Sequence, residues 1–267
     1  MKILRRFIKD RRRSVMGWCL GISAYILLQN AFYPSFKDQA DLTKLFEDLP
    51  ESVKVLFGLS DAVPLTSPPG WLWGQVFSLL PVLLIIFAVS LGARALVTSE
   101  EDGTLELLLS NPVTRERTAS ERYAAFVVLT FVVGLVSAAV TLGTAPLLQL
   151  MDGVSLPGYT AATFGTIGLA LLFGSLSFGV GALTGRRSLA LSVAAAVGVA
   201  TYTINGLSGS VQAARPLRFV SPFHWFLGRN MLAQGVAVEA LLAPVAFALL
   251  FAAVGYWFFL RRDLRSG

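Results

Sequence analysis

Six long stretches without a charged side chain dominate this sequence of 267 residues. They cover residues 14–36, 62–93, 123–151, 153–185, 188–214 and 240–260. Each stretch is long enough to span a bilayer, because about 20 apolar residues are enough for a helix to cross the hydrocarbon core. Charged residues make up only 14% of the chain, against about a quarter in soluble domains. The sequence therefore predicts an all-α polytopic membrane protein.

We expect six transmembrane helices in a single domain that covers residues 1–267. Their predicted bounds are 15–33, 72–96, 123–149, 160–183, 188–207 and 240–260. An even number of spans places both termini on one side of the membrane. Of the 22 Lys and Arg residues, sixteen fall on that side, so the positive-inside rule predicts cytoplasmic termini. The net charge of +6 then reflects topology and contact with anionic lipids, and nothing in the sequence suggests nucleic-acid binding.

The N-terminal residues 1–13 combine an apolar face with several basic side chains. Leu4, Phe7 and Ile8 share this face, which predicts an amphipathic helix in the headgroup layer before the chain turns into the first span. A disordered basic tail that only sets topology is the alternative.

Two segments on the predicted outer side have unusual patterns. Residues 38–58 repeat apolar residues at helical spacing, and residues 208–236 are apolar but interrupted by prolines. We expect surface-lying or re-entrant helices there, since irregular backbone is tolerated where protein covers it. Trp71 and Trp73 suit an outer aromatic belt. Small residues in the fourth and fifth spans predict close helix packing, within one subunit or across a dimer seam.

Most catalytic chemistry is excluded by residue content. Cys19 is the single cysteine and His224 the single histidine, so we expect neither an intramolecular disulfide nor a metal site. The nucleotide-binding pattern G-x-x-x-x-G-K-[ST] is absent. Ionisable residues are nearly absent from the spans, which argues against ion-coupled transport. The sequence favours an energy source outside the bilayer.

One motif is compatible with an enzyme. "GLSG", residues 206–209, matches the nucleophile motif of intramembrane serine proteases of the rhomboid kind. Such a serine needs a histidine base on a neighbouring span, whereas His224 follows Ser208 by 16 residues in the predicted outer loop. We keep this hypothesis as an alternative.

The longest charged interlude, "TSEEDGTLELLLSNPVTRER", separates the second and third spans. Thr98 or Ser99 suits a helix N-cap, with acidic residues in the following turn. Leucines at positions 105, 108 and 109 share one face, and Pro112 ends the pattern. The spacing predicts a short helix over 99–111, with its leucines either presented to a partner or packed into lipid and its own bundle.

The stretch "EEDGTLELLLSNPVTRER" resembles the signature of type-2 ABC (ATP-binding-cassette) exporter permeases, where it also lies between the second and third spans. The N-terminal basic helix, "LFEDLPESVKVLFG" and "SPFHW" are similar to less specific features of that family. The resemblance implies a permease that pairs with a second transmembrane subunit, often a copy of itself. It also implies two separate P-loop ATPase subunits that hold ATP and Mg²⁺, with no cofactor in this chain, and a location in the prokaryotic cytoplasmic (inner) membrane.

In such permeases the short cytoplasmic helix is a coupling helix that binds a groove of the ATPase. By resemblance, this ATPase-coupling element comprises Glu100, Glu101, Gly103, Thr104, Leu105, Leu108 and Pro112. For the translocation path, polar and aromatic residues of the second and fifth spans predict Gln75, Phe77, Thr201, Tyr202 and Asn205, although packing roles are equally open. A non-transporting scaffold that binds an ATPase is a further alternative function.

Overall fold

The computed structural model describes residues 2–37, 39, 48–59, 62–101 and 114–262, without the side chains of residue 2 and residues 98–101. Six helices in this part of the chain are long and apolar enough to cross a membrane. They cover Ile3–Phe36, Pro68–Val97, Arg115–Leu148, Leu156–Thr184, Arg187–Leu207 and Val238–Arg261. The prediction of six apolar spans is confirmed, and each helix begins earlier than predicted.

The described residues form ten α-helices and several short helical turns. In chain order they are α1 (Lys2–Phe36), α2 (Glu51–Phe57), α3 (Pro68–Trp71), α4 (Leu80–Glu101), α5 (Arg115–Thr144), α6 (Leu156–Thr184), α7 (Arg187–Leu207), α8 (Pro222–Leu227), α9 (Met231–Gln234) and α10 (Val238–Arg261). A π-helical stretch, Leu72–Phe77, lies between α3 and α4. Short 3-10 helices cover Pro146–Leu148, Gln212–Ala214 and Pro216–Val220.

Helix α1 is one continuous helix of 35 residues, about 52 Å long at 1.5 Å per residue. The predicted turn between an interfacial helix over residues 1–13 and the first span is therefore wrong. The physical reason is local: no proline interrupts the helix before Pro34, and Gly17 is tolerated inside it. The basic segment continues the axis of the first span.

The predicted start of a helix at Thr98 or Ser99 is also wrong, because both residues lie inside α4, which continues to Glu101. A cap is needed only where a helix begins. Residues 102–111 of the predicted helix lie outside the described residues.

Helices α4 and α6 form the centre of the bundle. In the most apolar stretches of the spans Pro68–Val97, which contains most of α4, and Leu156–Thr184, 72% and 78% of the residues are buried, against 22% in α1 and in α7. A Cβ atom on Gly92 would collide with the backbone carbonyl of Gly174, and one on Gly255 would lie 2.6 Å from the Cα of Gly179. The glycines therefore allow α6 to approach both α4 and α10 closely, which is the packing role expected of small residues within one subunit.

The end of the bundle opposite the termini is covered by protein. Trp71 and Trp73 are 5% and 1% exposed, so the prediction that they form an aromatic belt is wrong. The indole of Trp71 donates to the carbonyl of Gln29 (3.1 Å), and Trp73 stacks on Phe226 of α8 (5.3 Å between centroids). Trp71 packs against the rings of Tyr33 and Phe36 in α1. Trp73 packs against α8, one of the short helices that the segment 208–236 forms as predicted. Asn230 holds this segment by donating to the carbonyl of Pro69 (3.3 Å).

Candidate functional site

The two ends of the predicted coupling segment lie at the end of the bundle that carries the termini. Glu100 and Glu101 are the last residues of α4, and α5 begins at Arg115, where the Thr114 hydroxyl accepts from the amide of Arg117 (3.2 Å). Gly103, Thr104, Leu105, Leu108 and Pro112 lie outside the described residues.

Hydrogen bonds connect this junction to the rest of the bundle. Arg115 Nη1 donates to the carbonyl of Arg262, which caps α10 (3.1 Å). The amide of Leu4 in α1 donates to Glu121 of α5 (3.1 Å). Helices α4 and α5 are joined by buried Arg122, whose Nη1 donates to the carbonyl of Ala95 (2.9 Å). A displacement of the segment between α4 and α5 would therefore reach α1 and α10 directly.

The first pair of predicted path residues belongs to the second span. Gln75 lies in the π-helical stretch, its amide oxygen accepts from Gln29 Nε2 (3.0 Å), and its backbone carbonyl accepts from the Tyr25 hydroxyl. Phe77 is 1% exposed and packs edge-on against Tyr159 (5.7 Å between centroids). A π-helical turn shifts the carbonyl pairing of a helix and often occurs at functional sites. Here it places a polar group between α1 and the second span.

The second group lies in the last turns of α7. The Tyr202 hydroxyl donates to the carbonyl of Leu56 (3.3 Å), and Asn205 Nδ2 to that of Val55 (3.5 Å). The Thr201 carbonyl accepts from Ser221 Oγ (2.8 Å). These contacts attach α2 and the start of α8 to α7. Of the five predicted path residues, Gln75 contacts α1, Phe77 contacts α6, Tyr202 and Asn205 contact α2, and Thr201 contacts the start of α8. Their role in cargo passage stays a prediction.

A cavity of about 540 Å³ lies beside the second group. It is lined by α2, the end of α7 and the segment that includes α8. Its lining residues are Glu51, Lys54, Val55, Gly58, Leu59, Ala62, Asn205, Ser208, Gly209, Arg215, Arg218, His224, Leu227 and Gly228. Sequence reasoning missed this site, because the basic residues at positions 54, 215 and 218 were counted only for topology. The one available signal was Asn205, already noted as a polar residue of the fifth span.

The protease hypothesis depends on Ser208 and His224, and both residues line this cavity. The Ser208 hydroxyl donates to the carbonyl of Asn205 (2.6 Å), so its proton is directed to its own helix rather than to the imidazole. Burial, followed by the nearby charge of Arg218, lowers the pKa of His224. A nucleophilic serine needs its hydroxyl hydrogen-bonded to the base. The observed geometry therefore gives the hypothesis no support. Within the described residues, no three His, Cys, Asp or Glu side chains cluster as metal ligands would.

The six long apolar helices define a polytopic membrane protein. The family model described as ABC-2 family transporter protein matches residues 1–264. The chain therefore belongs to the ABC-2 transporter family, as a membrane-embedded permease. A search of curated proteins finds no match.

Proposed function

We propose that this chain is the translocating subunit of an ATP-driven exporter, energised by separate ATPase subunits. The observation that carries the proposal is the family match over residues 1–264 on a chain with six apolar helices. ABC-2 permeases generally work with ATP-binding subunits. Because the sequence has no P-loop pattern, ATP and Mg²⁺ belong to the partner chains.

The coupling role is assigned to residues 99–111 and rests on how the junction between α4 and α5 is connected. Helix α4 leads from this junction into the centre of the bundle, where Gly92 meets Gly174 of α6. Arg115 and Glu121 extend the contacts to α10 and α1. Force applied by an ATPase at the junction would act on four helices together. This arrangement favours a switch of the whole bundle between two discrete helix packings over a movement of one loop.

A second copy of the chain is the partner we propose within the membrane, with two ATPase subunits per dimer. In the most apolar stretches of α1 and α7, only 22% of the residues are buried in one subunit. On α7 the uncovered residues include the small side chains of Ser192, Ala195 and Ala196, and small residues favour close helix contacts in lipid. The site of action is the prokaryotic cytoplasmic membrane, with both termini in the cytoplasm, in accordance with the distribution of basic residues.

Aspartate substitutions test the coupling role. Leu105→Asp and Leu108→Asp place a charge where the proposal puts an apolar ATPase contact, and burying one leucine is worth about 1.5–3 kcal/mol. We expect at least tenfold weaker co-purification with the ATPase and loss of export, with normal membrane insertion. Leu217→Asp is the matched control, because Leu217 is an exposed leucine at the opposite end.

Normal ATPase association and export by both variants would refute the coupling assignment. The scaffold alternative predicts a different result: association would require Leu105 and Leu108, but proteoliposomes that contain the complete complex would export nothing. Assaying association and export separately distinguishes the two functions.

A further inference from the structure

The 3-10 helix Pro216–Val220 exposes two large apolar side chains at the end of the bundle opposite the termini. Phe219 is 60% exposed and Val220 is 71% exposed in one subunit. Single exposed apolar residues are common on protein surfaces and need no explanation. The role of these two residues therefore depends on where the 3-10 helix lies relative to the bilayer.

Helix α10 gives the position of the bilayer. Its charge-free stretch, residues 240–260, is flanked by Glu239 and Arg261. At 1.5 Å per residue it is about 31 Å long, which matches a hydrocarbon thickness of about 30 Å. The guanidinium of Arg261 lies over the ring of Trp257, 3.9 Å from its centroid, as is typical of the headgroup layer. The hydrocarbon boundary opposite the termini therefore lies near Ala240.

Trp225 of α8 connects the 3-10 helix to the interior side of this boundary. Its indole stacks on Phe247 of α10 (5.6 Å between centroids), and Phe247 lies seven residues, about 10 Å, inside the boundary. The indole Nε1 donates to the carbonyl of Phe219 (2.8 Å). A second link comes from α7, where the carbonyl of Thr201 accepts from Ser221 Oγ (2.8 Å). The 3-10 helix is thus held at the depth of about 5–10 Å at which interfacial segments bury their apolar side chains.

The surface around the 3-10 helix suits this depth. Phe247 is itself 41% exposed on a helix that spans the membrane, so the apolar surface continues from Phe219 across Trp225 to the lipid-facing side of α10. The carbonyls of Phe219 and Arg218 accept hydrogen bonds from Trp225 and from the amide of Ser221, which lowers the cost of placing an irregular backbone near hydrocarbon. The exposed Arg215 precedes the helix, and a basic residue next to apolar ones is typical of segments that lie in the headgroup layer.

We propose that the 3-10 helix Pro216–Val220 is a lipid anchor, with Phe219 and Val220 inserted among the acyl chains of the leaflet opposite the termini. The anchor holds α8 in place, and α8 in turn packs on Trp73 of the second span through Phe226. The proposal concerns a lipid contact of this chain and does not depend on the ATPase, on the direction of transport or on a translocating function.

Spin labelling of the purified chain in vesicles of phosphatidylglycerol and phosphatidylcholine tests the lipid contact. Cys19, the single cysteine, is replaced by serine, and a nitroxide is attached to the variant Val220→Cys. Power saturation then measures the collision rates of the label with oxygen, which partitions into the bilayer, and with a water-soluble nickel chelate. Leu250→Cys provides the reference value for lipid, because Leu250 is an exposed residue of α10.

Val211→Cys is the matched control, because Val211 is also an exposed valine but lies four residues beyond the end of α7. We expect an oxygen-to-nickel collision ratio at Val220→Cys several-fold higher than at Val211→Cys and close to that at Leu250→Cys. Phe219→Cys serves as the labelled position if Val220→Cys fails to fold.

Two results would overturn the proposal. A ratio at Val220→Cys equal to that at Val211→Cys would show that water covers this surface. Dipolar broadening of the Val220→Cys spectrum that disappears on dilution with unlabelled chain would show that a second copy covers it. Neither result would bear on the coupling role of residues 99–111, which is tested separately by ATPase association and export.

Discussion

Replacing Gly92 with alanine tests the closest approach between the two central helices. A Cβ atom at this position would collide with the carbonyl oxygen of Gly174 and lie 3.1 Å from its carbonyl carbon. The atoms met belong to the backbone of α6, so no side-chain rotation relieves the overlap. Helix α4 or α6 must move, which also disturbs the ring of Phe126 that packs against Gly174.

The expected loss of stability follows from two opposing terms. Overpacking a well-packed interior costs about 1–3 kcal/mol, and alanine recovers up to about 1 kcal/mol through its higher helix propensity. Because the overlap is with backbone atoms, we take the upper part of this range, about 2–3 kcal/mol, and expect a net loss of stability of about 1–2 kcal/mol. At roughly 2–4 °C per kcal/mol for a chain of this size, Tm should fall by about 2–8 °C. Thermal unfolding of the purified chain in detergent measures this change.

Gly143→Ala is the control, because a Cβ on Gly143 meets no atom within 4 Å. Its Tm should match the parent or exceed it slightly. If Gly92→Ala were as stable as Gly143→Ala, α4 and α6 would not be in backbone contact, and the description of the core would be wrong.

Three further predictions concern polar groups. Arg122→Met should lower the free energy of unfolding by about 1.5–3 kcal/mol, because it removes a charge-assisted hydrogen bond to the carbonyl of Ala95 (2.9 Å). A Tm equal to that of the parent would refute this prediction. A double-mutant cycle of Asn30→Leu and Thr144→Val should give a coupling free energy of about 0.6–1.7 kcal/mol, since Asn30 Nδ2 donates to Thr144 Oγ1 (2.8 Å). If the stability losses of the two substitutions were additive, the contact would be contradicted. Because burial lowers the pKa of His224, the unfolded chain binds more protons as pH falls below about 6.5, and the native state loses stability there. His224→Gln should flatten this pH dependence of Tm, and an unchanged profile would exclude His224 as its source.

The six spans were predictable because membrane crossing is decided by local composition. Lipid offers no hydrogen-bond partners to the backbone, so a charge-free apolar stretch of sufficient length must form a helix. This reasoning succeeded for every span, and α6 shows its limit. Helix α6 is apolar on all sides, so no polar face indicates which residues pack inward. That α6 and α4 form the centre became clear only from their burial.

Local patterns misled where a neighbouring element changed the environment. Trp71 and Trp73 have the composition of an interfacial belt, but α1 packs against Trp71 and α8 against Trp73, and both are buried. Thr98 and Ser99 have the composition of an N-cap, but α4 passes through them without a break. In both cases the residue types suit the predicted role in general, but the elements that surround them in this fold exclude it.

The sequence by itself determined the class of the chain: six apolar helices, basic loops on the side of the termini and a family signature after the second span. Each of these features depends only on the composition of one segment and on the lipid or water that surrounds it. Only the tertiary structure brought Lys54, Asn205 and Arg218 around one cavity, although they belong to three different segments. Such a site depends on how helices pack against remote partners, and no single segment contains that information.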